Sequence, residues 1–159
     1  MECRRSLQGW TDVPLSDRGR QQARTLGLHL AEVEFEGVWS SDLSRAVETA
    51  MIVARQPDSD ARLRELDFGS LEGSRWDALD DAARAELVAF DDFVAPGGES
   101  MRQLKTRVLE FVNDLEPGRH LVVSHGGVIR MLARECGGDG FPQHGDVVRL
   151  DWSNKRRIE

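Results

Sequence analysis

Strands that alternate with amphipathic helices predict an α/β layer fold around a largely parallel sheet. Three observations carry this expectation. His120-Leu121-Val122-Val123-Ser124 is a continuous apolar run that leads through Gly126-Gly127 into a helix bearing Val128, Ile129 and Leu132. A shorter run, Val38-Trp39-Ser40, leads in the same way into a helix with Ala46, Ala50 and Val53 on its inner face. The 159 residues suit one domain, spanning 1–159, with no internal repeat. A chain of this size buries roughly 70% of its unfolded surface, so it needs no disulfide or metal staple.

The elements follow in order. After a polar first dozen residues, Ser16 is placed to cap a helix with Ala23, Leu26, Leu30 and Val33 at helical spacing. The Val38 strand comes next, then the second helix, with Asp42 as its expected cap. Residues 56–62 read as a polar connection. Trp76, Leu79, Ala83, Leu87 and Phe90 mark a further helix. Ala95-Pro96-Gly97-Gly98 is a sharp break. Ser100 and Gln103 then form a capping box for a helix that turns Met101, Leu104, Val108, Phe111 and Leu115 inward. The apolar run at 120–124 suits a strand covered on both faces. Residues 147–152 alternate like an edge strand. Two interior strands and one edge strand are few for so much helix.

The composition narrows the function. Net charge is −7, which argues against sequence-independent nucleic-acid binding. No run of about 18 apolar residues marks a membrane span, and the N-terminus has no apolar core of a signal peptide. Cys3 and Cys136 form no CxxC pair and suggest a reducing compartment, so a cytoplasmic protein is expected. The basic residues are arginines except Lys105 and Lys155. Arginine suits bidentate phosphate binding.

Two segments carry chemistry. Open α/β sheets bind ligands beyond the carboxyl ends of their strands, which is where Ser124-His125-Gly126-Gly127 falls. The glycines let backbone N–H groups approach an anion, and the helix they begin offers its positive end. His125 and Gly126 are thus candidates for a phosphate site, against the plainer reading of a packed strand-end histidine. Ser40-Ser41-Asp42-Leu43-Ser44-Arg45-Ala46 is a second strand end that enters a helix, with Arg45 in the first turn. Arg45 is a candidate phosphate clamp, although a single helix arginine is more often solvated.

These segments, with Gln8-Gly9-Trp10-Thr11-Asp12-Val13-Pro14-Leu15-Ser16, Leu63-Arg64-Glu65-Leu66-Asp67-Phe68-Gly69, Leu71-Glu72-Gly73 and Pro96-Gly97-Gly98-Glu99-Ser100, occur in one order along essentially the whole chain. In that order the sequence resembles the histidine phosphatase superfamily, the phosphoglycerate mutase-like group. The resemblance implies a three-layer sandwich and metal-independent phosphoryl transfer through a phosphohistidine, with no cofactor. It implies that His125 contacts the phosphoryl group, that Arg45 clamps its oxygens, and that Glu65 protonates the leaving oxygen and later activates water. Gln8, Gly9 and Ser100 are expected near the pocket. The wording around Glu65 and Glu72 resembles the small phosphatases of the family, α-ribazole phosphatase among them, and no long middle insertion of the mutase kind is present. The implied partner is a small phosphorylated metabolite; the family also admits a homodimer.

One motif is absent. The family's nucleophile stands in an Arg-His-Gly segment shortly before the Gln-Gly pair, and counting back from Gln8-Gly9 places it before Met1. The resemblance also puts that segment on a first, central strand, between the strands ending at Ser40 and Ser124. The expectation is a longer natural protein that is active. The alternatives are a noncatalytic phosphate-binding relative, or a substitute among His29, His120 and His144, with His144 the nearest to reach. Loss of the central strand predicts a gap or groove between the Trp39 and Val122 strands, local disorder, or repair by another segment.

Overall fold

The structure, a computed structural model, describes residues 6–158. Cys3 lies outside the described residues, and Cys136 is a free, buried thiol. Helix α1 spans Asp17–Leu30 and starts as expected, with Ser16 Oγ accepting from the Gly19 amide at 3.1 Å. Strand β1, Gly37–Ser40, follows, and α2 spans Ser44–Val53. Asp42 does not cap α2. Its carboxylate is taken by Arg64, and the cap comes from far away: Asp12 accepts from both the Ser44 amide and hydroxyl, at 2.8 and 2.7 Å.

Residues 56–62 are not wholly loop. Asp58–Ser59 forms a two-residue strand, β2, parallel to β1. The expected helix through Trp76 to Phe90 is broken in two: a 3₁₀ turn at Trp76–Ala78, then α3 at Asp81–Ala89, with Asp80 as its cap. Helix α4, Met101–Asn113, carries both halves of the Ser100–Gln103 capping box. Strand β3, His120–Val123, leads into α5, Gly126–Glu135. Strand β4, Arg149–Asp151, pairs antiparallel with β5, Arg156–Ile158, and not with the main sheet.

The main sheet has the order β2-β1-β3, all parallel, which makes the α/β class plain. Side-chain alternation sorts its two faces. Val38 turns toward α1 and α2, beside Leu30, Val33 and Val53. Trp39 and Val122 turn the other way and pack on the core that α4 and α5 build from Leu104, Val108, Phe111, Val128 and Met131. Helices thus cover both faces, giving three layers. Phe111 is 1% exposed and meets Trp39 edge-to-face at 5.5 Å. Replacing Phe111 with alanine is expected to cost about 3–5 kcal/mol, read as a lowered urea midpoint. A loss under about 1 kcal/mol would show that the layer between α4 and the sheet is not the main core.

The expected gap is overturned. Strands β1 and β3 pair directly, Gly37 with His120 through Ser40 with Val123. The shortage of sheet lies on the other side of β3. Among the described residues that edge has no ladder partner, and all four β3 residues are only partly buried although Leu121, Val122 and Val123 are apolar. The expectation of full cover on both faces therefore also fails for β3. No helix among the described residues is long and apolar enough to cross a membrane.

Candidate active site

The site gathers at the carboxyl ends of β1 and β3. His125 follows β3 as the cap residue of α5. Its Nε2 is buried and has no hydrogen-bond partner in the described structure. That burial, with the charges of Arg45 and Arg107 nearby, pushes the imidazole down from its ordinary 6.5 to about 3. His125 is therefore neutral across the physiological range. The folded state refuses a proton that the unfolded state takes up below pH 6.5. Stability should fall as pH drops from there toward 3, by up to about 1.4 kcal/mol per pH unit and less where water reaches the ring. Urea midpoints against pH should show a shallower acid limb for His125→Asn. Equal limbs would mean that His125 titrates normally.

Glu65 sits in an irregular segment between two buried leucines, Leu63 and Leu66. Its Oε2 accepts from the Gly127 amide at 3.0 Å and its Oε1 from the Leu66 amide at 2.8 Å. Sequence reasoning reserves the α5 N-terminus for a phosphate. The structure puts the Glu65 carboxyl against it instead, beside Gly126 and Gly127. A Cβ on Gly127 would collide with Glu65 Oε1, so glycine is required for this approach. Burial pushes the Glu65 carboxyl up, against the pull of the two amides and of Arg107 and Arg45. A carboxyl kept protonated above the usual range is suited to donate a proton.

Arg45, in the first turn of α2, is half-buried and close enough to act electrostatically on both Glu65 and His125. It is held by carbonyl oxygens rather than by a carboxylate: Nη2 donates to Gly9 O at 2.8 Å and Nη1 to Thr11 O at 3.0 Å. Among the described residues its positive charge has no direct ion-pair partner. The Gly9–Thr11 loop is in turn fixed by Glu72, which accepts from the Trp10 and Thr11 amides and the Thr11 hydroxyl.

The expected residues separate. His125, Glu65, Arg45, Gly126 and Gly9 come together. Gln8 is exposed, and Ser100 is occupied by its capping box. His29 lies on α1, bonded to Thr25 O. His120 begins β3, facing Glu116 O. The His144 loop turns toward α1, where Gln22 donates to His144 O at 3.3 Å. Phe90 is core, whereas Trp10 belongs to the site: its indole donates to Glu65 O at 2.9 Å and Arg64 lies over its ring. Arg107, Glu99 and Glu72 bond to the same segments without any sequence signal of a role. Glu72 and Glu99 stand inside the quoted motifs, but Arg107 reads as an ordinary polar helix position.

A histidine, an arginine and an enclosed carboxyl thus stand beyond the strand ends of a parallel α/β sheet, the edge at which such sheets commonly bind ligands. The chain belongs to the histidine phosphatase superfamily (branch 1), which it matches over residues 2–151. It is 36% identical over 139 residues to fructose-2,6-bisphosphatase TIGAR B of Danio rerio, covering 82% of this chain and 53% of that protein. It is 40% identical over 134 residues to a probable phosphoglycerate mutase, GpmB, of Salmonella choleraesuis, covering 77% and 62%. The chain thus spans between about half and three-fifths of these curated relatives. Among solved structures, a phosphoglycerate mutase from Thermus thermophilus aligns with a TM-score of 0.89 at 38% identity, covering 97% of this chain and 87% of that one. YhfR of Bacillus stearothermophilus aligns at 0.77 and 29%, covering 97% and 86%.

Proposed function

We propose that the protein is a phosphomonoester hydrolase that works through a phosphohistidine on a small phosphorylated metabolite. In this reading the 159 residues supply the supporting part of the site and not its nucleophile. The observation that carries it is the Glu65 carboxyl, raised by burial and held against α5 beside His125 and Arg45. Phosphoryl transfer needs positioning and positive charge around the equatorial oxygens more than covalent chemistry from the protein. Arg45 brings the charge. Neutral His125 brings a hydrogen-bonding ring. Glu65 protonates the leaving oxygen and, in the second half-reaction, takes a proton from water. No step calls for a metal.

Relatives carry both phosphatase and mutase names. A mutase-type transfer would use the same site with an acceptor hydroxyl in place of water. The compact middle of the chain, with α3 as its one α-helix between the Glu65 segment and α4, favours hydrolysis. A second reading, a noncatalytic module that binds a phosphorylated ligand, is favoured by one fact: none of His29, His120, His125 and His144 stands in an Arg-His-Gly segment.

The test compares this chain with a form extended by an Arg-His-Gly segment, using p-nitrophenyl phosphate. The expected result is trace turnover from the chain and an increase of several orders of magnitude on extension, within the 10⁶-fold or greater range that enzymes reach, roughly. Equal, high turnover from both would refute the missing nucleophile. Inactivity of both, with tight binding of inorganic phosphate, would favour the binding module.

A further inference from the structure

Beyond a 3₁₀ turn at Ala61–Leu63, the segment that carries Glu65 has no ladder or helix to satisfy its backbone. Buried carbonyl groups must find partners somewhere. Here side chains supply them. Arg107 Nη1 donates to Arg62 O and Arg64 O, both at 2.7 Å, and Nη2 donates to Glu65 O at 2.8 Å. Ser124 Oγ donates to Leu63 O at 2.8 Å, so the carbonyls of residues 62 to 65 are all held by side chains. The remaining two Arg107 donors go to Glu99, Nε to Oε1 at 2.7 Å and Nη2 to Oε2 at 2.8 Å. All five N–H groups of the guanidinium are thereby used, which only the planar fork of arginine permits.

Glu99 is tied to the same segment on its own account. Its amide donates to Asp67 O at 2.9 Å, and its Oε2 accepts from the Asp67 amide at 3.3 Å. The pair is well shielded, with side-chain exposures of 15% for Arg107 and 11% for Glu99. Both are spent on the backbone on either side of Glu65.

We propose that Arg107 and Glu99 are positioning residues that hold the 62–67 segment so that the Glu65 carboxyl is pressed against the N-terminus of α5. The catalytic consequence rests on the reading of Glu65 as the proton donor; the positional claim does not. Two effects of Arg107 on Glu65 oppose each other, which makes the claim testable. As a nearby cation, together with Arg45 from α2, it pulls the carboxyl down. As a clamp, it keeps the carboxyl enclosed, and enclosure pushes it up.

The experiment is a titration of this chain with ¹³Cδ-labelled glutamate, the Glu65 signal being assigned as the one lost in Glu65→Gln. In the wild type it should titrate above the usual carboxylate range. In Arg107→Met the clamp reading expects a fall of about one pH unit or more, as the freed carboxyl meets water. In Arg107→Lys the charge stays while the fork is lost, and the same direction of change is expected. Glu99→Gln should fall by less, and it carries the test with Arg107→Lys if Arg107→Met does not fold. An unchanged or raised value in the folded variants overturns the proposal, since loss of a cation alone raises the carboxyl. The titration reads position and not turnover. Normal turnover of Glu65→Gln in the extended form would therefore sink the proton-donor reading while leaving this one intact, and an unmoved titration would do the reverse.

Discussion

His125→Ala, made in the form extended by an Arg-His-Gly segment, is expected to lower turnover of p-nitrophenyl phosphate by roughly 10²–10³-fold, the usual cost of removing one preorganised donor from an anionic transition state. The reason lies in the state of the ring. Its Nε2 is buried with no protein partner, and the imidazole is held neutral, well below its ordinary value. A neutral ring is both a donor and an acceptor. An arriving phosphoryl oxygen would supply the missing partner and pull the imidazole back up. His125→Gln keeps an amide donor but cannot become a cation, so it should recover part of the loss near neutrality and less at lower pH. Unchanged turnover in His125→Ala would remove the residue from the site.

Glu65→Gln in the same extended form is expected to cost about 10²–10⁴-fold, the usual worth of a positioned acid or base. The amide keeps the size of the carboxyl and can still accept from one of the two amides, Gly127 or Leu66, that the carboxylate serves, so folding of the variant is checked by its urea midpoint before turnover is compared. The loss should depend on the leaving group. A phenolate with a low pKa leaves with little help, whereas an alkyl phosphate needs the proton. Turnover of an alkyl phosphate should therefore fall further than that of p-nitrophenyl phosphate. If both substrates lose equally, Glu65 is acting through the shape or charge of the pocket and not by giving a proton.

Much of the architecture is legible in the sequence because it is local. Ser16 and Ser100 sit immediately before amphipathic runs, and their caps are short-range hydrogen bonds. The Val38 and Val122 strands are short apolar runs ending in helix starts. What fails is what depends on distant partners. Asp42 has the spacing of a cap, but an arginine 22 residues on takes it, and Asp12 reaches across 32 residues to cap α2 instead. Strand β2 is two polar residues and β5 is two arginines and an isoleucine, too short for any apolar alternation to announce them. The run from Trp76 to Phe90 keeps helical spacing across a break, because Leu79 and Leu87 both reach the core although Asp80 restarts the helix between them.

The site divides along the same line. His125 and Arg45 are visible as strand-end residues at helix starts, and Glu65 through the order of motifs. Arg107 is not visible, since its partners are carbonyl oxygens 42 to 45 residues earlier and carbonyls leave no mark in a sequence. The motif order predicts a gap between β1 and β3, whereas these strands pair directly. Apolar content marks β3 as a strand but tells neither how fully it is covered nor which strand is its neighbour.

The edge of β3, which has no ladder partner among the described residues, bears on what could pair with this sheet. Its row of backbone donors and acceptors would accept any extended segment, since ladder bonds do not read side chains. What occupies it is then a matter of supply. A strand joined through a short flexible connection is present at an effective concentration on the order of millimolar. A strand borrowed from another molecule is present only at the protein's own concentration, micromolar in ordinary work. Covalent linkage would therefore win the edge over self-association by roughly a thousandfold, and the advantage would shrink as the protein is concentrated. Whether this sheet closes within one molecule or between two is in that sense set by tethering and dilution more than by sequence.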